Sequence, residues 1–187
     1  MEVAAALIGV VGTILGTILG WALNSFSQRG KLSVYVLEWE QQLEKNDMGR
    51  MVRCLGRDDA ESYFYSLKLD IYNSSNETRI MRNIRIGFMK DNKNLFEDRP
   101  YNDSVRSSSS RAVHFEEVAS INVPAKSVAS LSLRGGFWNQ DNRFERIWDV
   151  GEINLLYSDD KNRESSVEIC RSGVMACLPD ATVLSES

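Results

Sequence analysis

The sequence predicts a mainly β protein, an antiparallel β-sandwich preceded by one transmembrane α-helix. Of the 48 charged side chains in the 187 residues, only Glu2 lies within residues 1–28. The rest of the chain alternates apolar and polar residues in short runs separated by turn residues, which is the pattern of half-buried strands. We therefore divide the chain into a transmembrane anchor, residues 1–28, and a β-sandwich domain, residues 29–187.

The N-terminal segment has the length of a membrane-crossing helix. Val3–Leu23 contains no charged residue and no proline. As a helix rising about 1.5 Å per residue it would span roughly 31 Å, close to the ~30 Å core of a bilayer. A cleaved signal peptide is the alternative, but it requires a basic start and a shorter apolar run. The start Met1-Glu2 favours a retained anchor.

The charges beside this segment predict its orientation. Arg29 and Lys31 follow it, whereas Glu2 precedes it. The positive-inside rule then places the C-terminal side in the cytoplasm. We expect a single-pass membrane protein with its N-terminus outside and its β-domain cytoplasmic. Trp21, Arg29 and Lys31 would contact membrane lipid at the interface.

Small residues form one face of the same helix. Gly12, Gly16 and Gly20 recur every four residues and therefore lie on one side of a helix. Missing side chains let a second helix approach closely. We expect self-association into a homo-oligomer; a helix with no partner, or packing on a different membrane protein, are the alternatives. The predicted association face comprises Gly9, Gly12, Thr13, Gly16, Thr17 and Gly20.

Alternating runs mark the strands of the soluble domain. Ser62–Asn73 places Tyr63, Tyr65, Leu67, Leu69 and Ile71 on one side, which predicts a strand with one buried face. Ile84, Ile86 and Phe88 form a second such set, and we expect the two strands to be neighbours. Ile153–Tyr157 and Ser166–Cys170 flank the polar turn Ser158–Ser165 as a hairpin. Seven or eight strands at this spacing indicate a sandwich.

Two segments interrupt the alternation, and a glycine pair lies further along the chain. Gln41–Glu61 could form a short helix or a long β connection. Glu97–Arg111 is polar with a run of four serines, and we expect a loop there, where sandwiches often carry recognition surfaces. We interpret Arg134-Gly135-Gly136 as a turn that ends a strand, since it lacks the spacing of a phosphate-binding loop.

The sequence contains no recognisable catalytic, cofactor or metal site. His114 is the only histidine, and histidine-based metal sites need at least two placed ligands. Cys54, Cys170 and Cys177 have no zinc-type spacing, and their odd number agrees with a cytoplasmic domain whose thiols stay reduced. We therefore expect no enzyme activity. An enzyme that uses the unassigned Cys, His and Asp residues is the weakest alternative.

Basic residues give no sign of nucleic-acid binding. The net charge is −4. Arg79, Arg82 and Arg85 cluster at the start of one strand, but simple alternation puts Arg82 out of phase with the other two, so they form no single stripe. We interpret them as solvent-facing residues, with an anionic ligand or lipid headgroup as the alternative. Glycosylation triplets occur at Asn73, Asn76 and Asn102, and a cytoplasmic domain would not use them.

One stretch of the sandwich resembles known proteins. A strand ending in Asn73-Ser74-Ser75, a short polar link and then Ile-x-Ile-x-Phe at Ile84–Phe88 resembles small, mostly uncharacterised bacterial proteins with one N-terminal membrane helix and an immunoglobulin-like sandwich. The resemblance covers roughly residues 32–170 and implies that fold. It implies no activity and no functional residue.

These observations support two hypotheses about function. The first is a membrane-anchored, non-enzymatic binding or sensing protein that self-associates through its glycines and binds a protein or small molecule. The second is a membrane-perturbing effector whose helices cluster when the β-domain binds a signal. Bacterial antiphage effectors have a similar two-part plan, which is an analogy of architecture alone.

Overall fold

A computed structural model describes residues 2–27, 30–108, 113–118 and 120–171 of the chain. In these ranges helix α1 (Glu2–Ser27) precedes eleven strands, and helix α2 (Asn142–Arg146) with a 3-10 turn at Ile147–Asp149 precedes the last two strands. The strands are β1 (Leu32–Asp47), β2 (Arg50–Cys54), β3 (Ser62–Asn73), β4 (Arg79–Lys90), β5 (Lys93–Asp98), β6 (Tyr101–Ser108), β7 (Val113–Glu117), β8 (Ser120–Val123), β9 (Val128–Trp138), β10 (Glu152–Ser158) and β11 (Glu164–Cys170).

The strands form two antiparallel sheets. One has six strands in the order β2-β1-β3-β9-β6-β7, and the other has five described strands, with β11-β10-β4-β5 in one row and β8 paired to β4. The buried residues of both sheets form one core. The predicted mainly β, antiparallel sandwich is confirmed.

Strands β3 and β4 contribute most of the large buried side chains. The inward set of β3 is the predicted one, and its ends match the predicted range Ser62–Asn73. However, β3 pairs with β1 and β9, whereas β4 pairs with β10, β5 and β8. The expectation that these two strands are neighbours is wrong, because alternation reveals a buried face without revealing which sheet carries it. The rings of Tyr63 and Phe88 instead meet edge to face, 6.3 Å apart, across the core.

The two segments that interrupt the alternation are largely extended β-structure. Within Gln41–Glu61 the β alternative holds, since β1 continues to Asp47 and turns back into β2. The loop expected at Glu97–Arg111 is wrong for most of its length, because β5 runs to Asp98 and β6 begins at Tyr101. Residues 109–112 lie outside the described chain.

The turn expected at Arg134-Gly135-Gly136 is also wrong. These residues lie within β9 and pair with Ser66, Tyr65 and Phe64 of β3. By contrast, the predicted hairpin is confirmed: β10 and β11 pair antiparallel around the turn 159–163.

The predicted membrane location requires a correction. Among the helices of the described chain, none combines the length and the apolar character that crossing a bilayer demands. The prediction of a single-pass membrane protein with its N-terminus outside and its β-domain in the cytoplasm is therefore wrong.

Candidate functional site

Helix α1 carries the predicted association face, and that face is uncovered. A Cβ atom added at Gly9, Gly12, Gly16 or Gly20 would meet nothing within 4 Å. The neighbouring threonines are satisfied within the helix, because Thr13 Oγ1 donates to the Gly9 carbonyl at 2.9 Å and Thr17 Oγ1 donates to the Thr13 carbonyl at 2.8 Å. The four glycines thus leave a groove in which another helix could lie closely.

Several large apolar side chains of α1 are exposed as well. Trp21, one of the predicted interface residues, is 72% exposed, and Arg29 lies outside the described residues. Large apolar side chains, each at least half exposed, lie along the part of the helix whose side chains the structure describes. They are Val10, Val11, Ile14, Leu15, Ile18, Leu19, Trp21 and Leu23.

Just beyond α1 the chain is fastened to the sandwich at Gly30 and Lys31. The Lys31 backbone N–H donates to Ser74 Oγ at 2.9 Å, and the Ser74 backbone N–H donates to the Lys31 carbonyl at 3.1 Å. A Cβ atom at Gly30 would lie 2.2 Å from the Ser75 backbone nitrogen. Only glycine permits this close approach. Gly30, Lys31, Ser74 and Ser75 therefore form one contact, which we call the clamp. Lys31, a predicted interface residue, belongs to this clamp.

Asn73 holds the turn that receives this clamp. Its fully buried amide Nδ2 donates to the carbonyls of Glu77, Val123 and Pro124, and its Oδ1 accepts the backbone N–H and the hydroxyl of Ser75. These five hydrogen bonds from one buried side chain hold the 73–77 turn against the 123–124 segment. Asn73 is thus a structural residue of the folded domain, and its glycosylation triplet is not accessible there.

Arg79 joins the clamp to the β10–β11 turn. Its guanidinium donates to Asp160 Oδ2 at 2.7 Å, to the Gly30 carbonyl at 3.4 Å and to Ser75 Oγ at 3.4 Å. Between these elements lies a cavity of about 690 Å³, which we call the junction pocket. Its lining includes Ser25, Lys31, Arg79, Tyr157, Lys161 and Ser165.

A β-bulge corrects the expected phase of the arginines. Asn83 has φ 51°, and the pairing of β4 with β10 shifts there. Two residues, Arg82 and Asn83, therefore lie between the buried Met81 and Ile84. The extra residue brings Arg82 into phase with Arg85, so the prediction that Arg82 points away from it is wrong.

These arginines are ion-paired or hydrogen-bonded rather than simply solvated. Arg85 donates to Glu97 at 2.6 Å and to Glu164 at 2.8 Å, and its side chain is only 16% exposed. Arg82 donates to the Asp160 carbonyl at 3.1 Å. The cluster thus fixes the β10–β11 hairpin on β4.

A second polar group connects the two sheets at one end of the sandwich. Asp98 accepts from the Tyr65 hydroxyl at 2.5 Å and from Arg143 at 3.0 Å. Burial raises the pKa of Asp98, although both hydrogen bonds oppose the shift. Burial, and the nearby Asp98 charge, raise the pKa of Tyr65 well above its usual value. A neutral tyrosine donating to a largely enclosed carboxylate is a structural arrangement.

The candidate nucleophiles have no catalytic surroundings in the described chain. Burial raises the pKa of the free Cys54 thiol, which reduces its thiolate fraction. Cys170 is disulfide-bonded, so the expectation that the thiols stay reduced is wrong. His114 lies in β7, and its side chain is outside the described residues. No group of three or more His, Cys, Asp or Glu residues in the described chain could hold a metal ion.

Sequence reasoning missed the junction pocket. The sequence alone places Tyr157, Lys161 and Ser165 in a hairpin and Lys31 at a membrane interface. The density of charges in Ser158–Ser165 was the available signal, but nothing local indicated that this turn lies beside Lys31.

Comparison with known proteins identifies the domain. The model of the YopI Ig-like domain family matches residues 30–170. No curated protein is significantly similar in sequence. A Bordetella pertussis protein described as ApaA is 7% identical, with a TM-score of 0.36 over 75% of this chain and 89% of that chain. The Iho670 flagellar-like filament is 10% identical, with a TM-score of 0.35 over 91% of this chain and 98% of that chain. At these TM-scores neither similarity bears on function.

Proposed function

The chain belongs to the YopI Ig-like domain family, and we propose that it is a non-enzymatic binding or sensing protein that self-associates through helix α1. The exposed apolar surface of α1 carries this proposal. Full burial of a Val, Leu or Ile side chain is worth about 1.5–3 kcal/mol, and eight large apolar side chains of α1 are at least half exposed. Contiguous apolar surface of this kind marks an interaction site.

A second copy of α1 is the partner that fits this surface. The distance between packed helices depends on the side chains at their contact. The open space at Gly12, Gly16 and Gly20 would let two helices approach closely along one face. The same apolar surface is present on every copy, so pairing buries it on both molecules at once.

The described side chains support a binding role over catalysis. Acidic groups of the sandwich are engaged by arginines, as in Arg79–Asp160, Arg85–Glu97 and Arg143–Asp98. The Cys54 thiol has a raised pKa, whereas an activated nucleophile needs a lowered one. A binding domain requires only a surface or a pocket, and the sandwich offers both.

Sedimentation velocity of the full chain over a range of concentrations tests self-association. The wild type should sediment as an oligomer, and Gly16→Leu should weaken association by about tenfold or more, since ~1.4 kcal/mol of lost packing gives tenfold. Ala22→Leu is the control, because it adds similar bulk about 120° around the helix from Gly16. Circular dichroism should report unchanged helicity for Gly16→Leu, as leucine favours helix.

Two results would contradict the proposal. A monomeric wild type at every concentration would remove self-association. Equal association of Gly16→Leu and the wild type, with Ala22→Leu weakened, would place the contact on the other face of α1.

A further inference from the structure

Three acidic residues line the junction pocket, and each of their carboxylates forms an ion pair with an arginine. Asp160 pairs with Arg79 at 2.7 Å, Asp159 with Arg163 at 2.7 Å, and Glu164 with Arg85 at 2.8 Å. Asp159 also accepts the backbone N–H groups of Lys161 and Arg163 at 2.8 and 2.9 Å. These carboxylates therefore serve the architecture of the turn rather than a ligand.

Two ammonium groups remain at the pocket. The side chains of Lys31 and Lys161 form no ion pair or side-chain hydrogen bond with the residues that the structure describes. Lys31 is held in place through its backbone by Ser74, and Lys161 by the turn at Asp159. The two positive charges thus come from different elements, and both elements are fixed.

Hydroxyl groups add neutral donors to the same cavity. Tyr157 and Ser165 line it from β10 and β11, and neither hydroxyl bonds to another residue of the described chain. Ser25 lines it from the end of α1. Once the salt bridges are taken into account, the groups left for a ligand are two cations and three hydroxyls.

We propose that the junction pocket binds a phosphate-bearing small molecule, with Lys31 and Lys161 as its charged contacts. Ammonium groups and hydroxyls form charge-assisted hydrogen bonds to phosphate oxygens. A volume of about 690 Å³ lies within the range of small-molecule pockets. The proposal rests on the proposed function, since it names the ligand class of the same binding protein.

The pocket lies where α1 meets the sandwich, so a ligand bound there would contact both. Ser25 belongs to α1, Lys31 to the clamp that follows it, and Lys161 to the sandwich. An anion bound between Lys31 and Lys161 would therefore connect the chain just after α1 to the β10–β11 turn.

Isothermal titration calorimetry of the full chain tests the site with inorganic pyrophosphate as the probe. The wild type should bind it, and the double variant Lys31→Gln, Lys161→Gln should bind at least about tenfold more weakly, since two charge-assisted hydrogen bonds are lost. Lys93→Gln is the matched control, because Lys93 is exposed at the start of β5 and does not line the pocket. It should bind as the wild type does.

A second arm distinguishes free phosphates from lipid headgroups. Vesicles of phosphatidylcholine with phosphatidylglycerol replace pyrophosphate in a flotation assay. Binding to either probe that is lost in the double variant supports the site and identifies the source of the phosphate. The proposal is overturned if neither probe binds the wild type, or if the double variant binds as well as Lys93→Gln.

Gly16→Leu separates this proposal from self-association. Gly16 does not line the pocket, so this variant should bind pyrophosphate as the wild type does even where it no longer oligomerises. Loss of pyrophosphate binding in Gly16→Leu would show that the ligand needs the oligomer, and would overturn a site contained in one chain.

Discussion

The Tyr65 hydroxyl donates a 2.5 Å hydrogen bond to Asp98 Oδ2, and it does so beside a residue without a side chain. Tyr65 lies in the six-stranded sheet and Asp98 ends a strand of the five-stranded sheet, so the bond joins the two layers. Gly135 is the residue paired with Tyr65 on β9. A Cβ atom there would lie 2.3 Å from the Tyr65 hydroxyl oxygen and 2.5 Å from Asp98 Oδ2.

Gly135→Ala should therefore destabilise the domain by about 2–4 kcal/mol, which combines overpacking with the loss of a buried hydrogen bond. The free energy of urea unfolding measures this. Gly56→Ala is the control, because a Cβ atom at Gly56 meets nothing within 4 Å. Equal stability of the two variants would mean that Tyr65 can move away from Gly135 without cost.

The raised pKa of Asp98 predicts an unusual pH dependence of stability. A carboxyl whose pKa is higher in the folded state binds protons more readily there than in the unfolded chain, so its contribution to stability increases as the pH falls. The stability of the wild type relative to Asp98→Asn should thus increase from neutral pH down to the ordinary carboxyl pKa of 3.8, and level off below it.

Urea unfolding of both proteins at a series of pH values measures this difference. A wild-type advantage that shrinks as the pH falls would show that Arg143 outweighs burial and holds the pKa of Asp98 below its usual value.

Asn73→Ala should cost about 2–4 kcal/mol, because it removes five hydrogen bonds made by a fully buried side chain. The change removes the amide that bonds the carbonyls of Glu77, Val123 and Pro124. Thermal and urea unfolding check the prediction, with the exposed Asn122→Ala as control. A loss below about 0.5 kcal/mol, the usual range of surface substitutions, would count against Asn73 as the centre of this turn.

The bulge at Asn83 predicts opposite effects of two substitutions. Its φ of 51° is in the left-handed region, which asparagine tolerates, glycine adopts freely and β-branched residues avoid. Asn83→Gly should change stability little, whereas Asn83→Val should cost about 1–2 kcal/mol. If both variants unfold at the same urea concentration, β4 can lose the bulge, and Arg82 can change sides, without penalty.

The class of fold could be predicted because alternation is a local property. The buried face of β3 depends only on its own residues, so Ser62–Asn73 was assigned correctly. Sheet membership depends on which strands meet, and no feature of β3 or β4 alone encodes that. The turn predicted at the glycines of β9 is wrong for the same reason. Glycine is needed at position 135 because the Tyr65 hydroxyl, which is distant in sequence, occupies the space of a side chain.

The candidate sites divide in the same way. The glycine face of α1 depends only on spacing along one helix, so it can be predicted from the sequence, and its role in association stays a prediction. The junction pocket combines Lys31 with Lys161, which lie at opposite ends of the domain sequence. One extra residue at Asn83 was enough to reverse the predicted side of Arg82, and a bulge of this kind has no reliable local signal.

The clamp at Gly30 and Lys31 has a mechanical consequence. One backbone–backbone hydrogen bond and one bond from the Lys31 N–H to Ser74 Oγ hold the chain to the sandwich just after α1. A force applied to the helix would be transmitted first to the Asn73–Ser75 turn, and through Arg79 to the opposite hairpin, before it pulled on β1. The hydrogen-bonded turn around Asn73 would thus bear the load first, and β1 would separate from β3 only at a higher force.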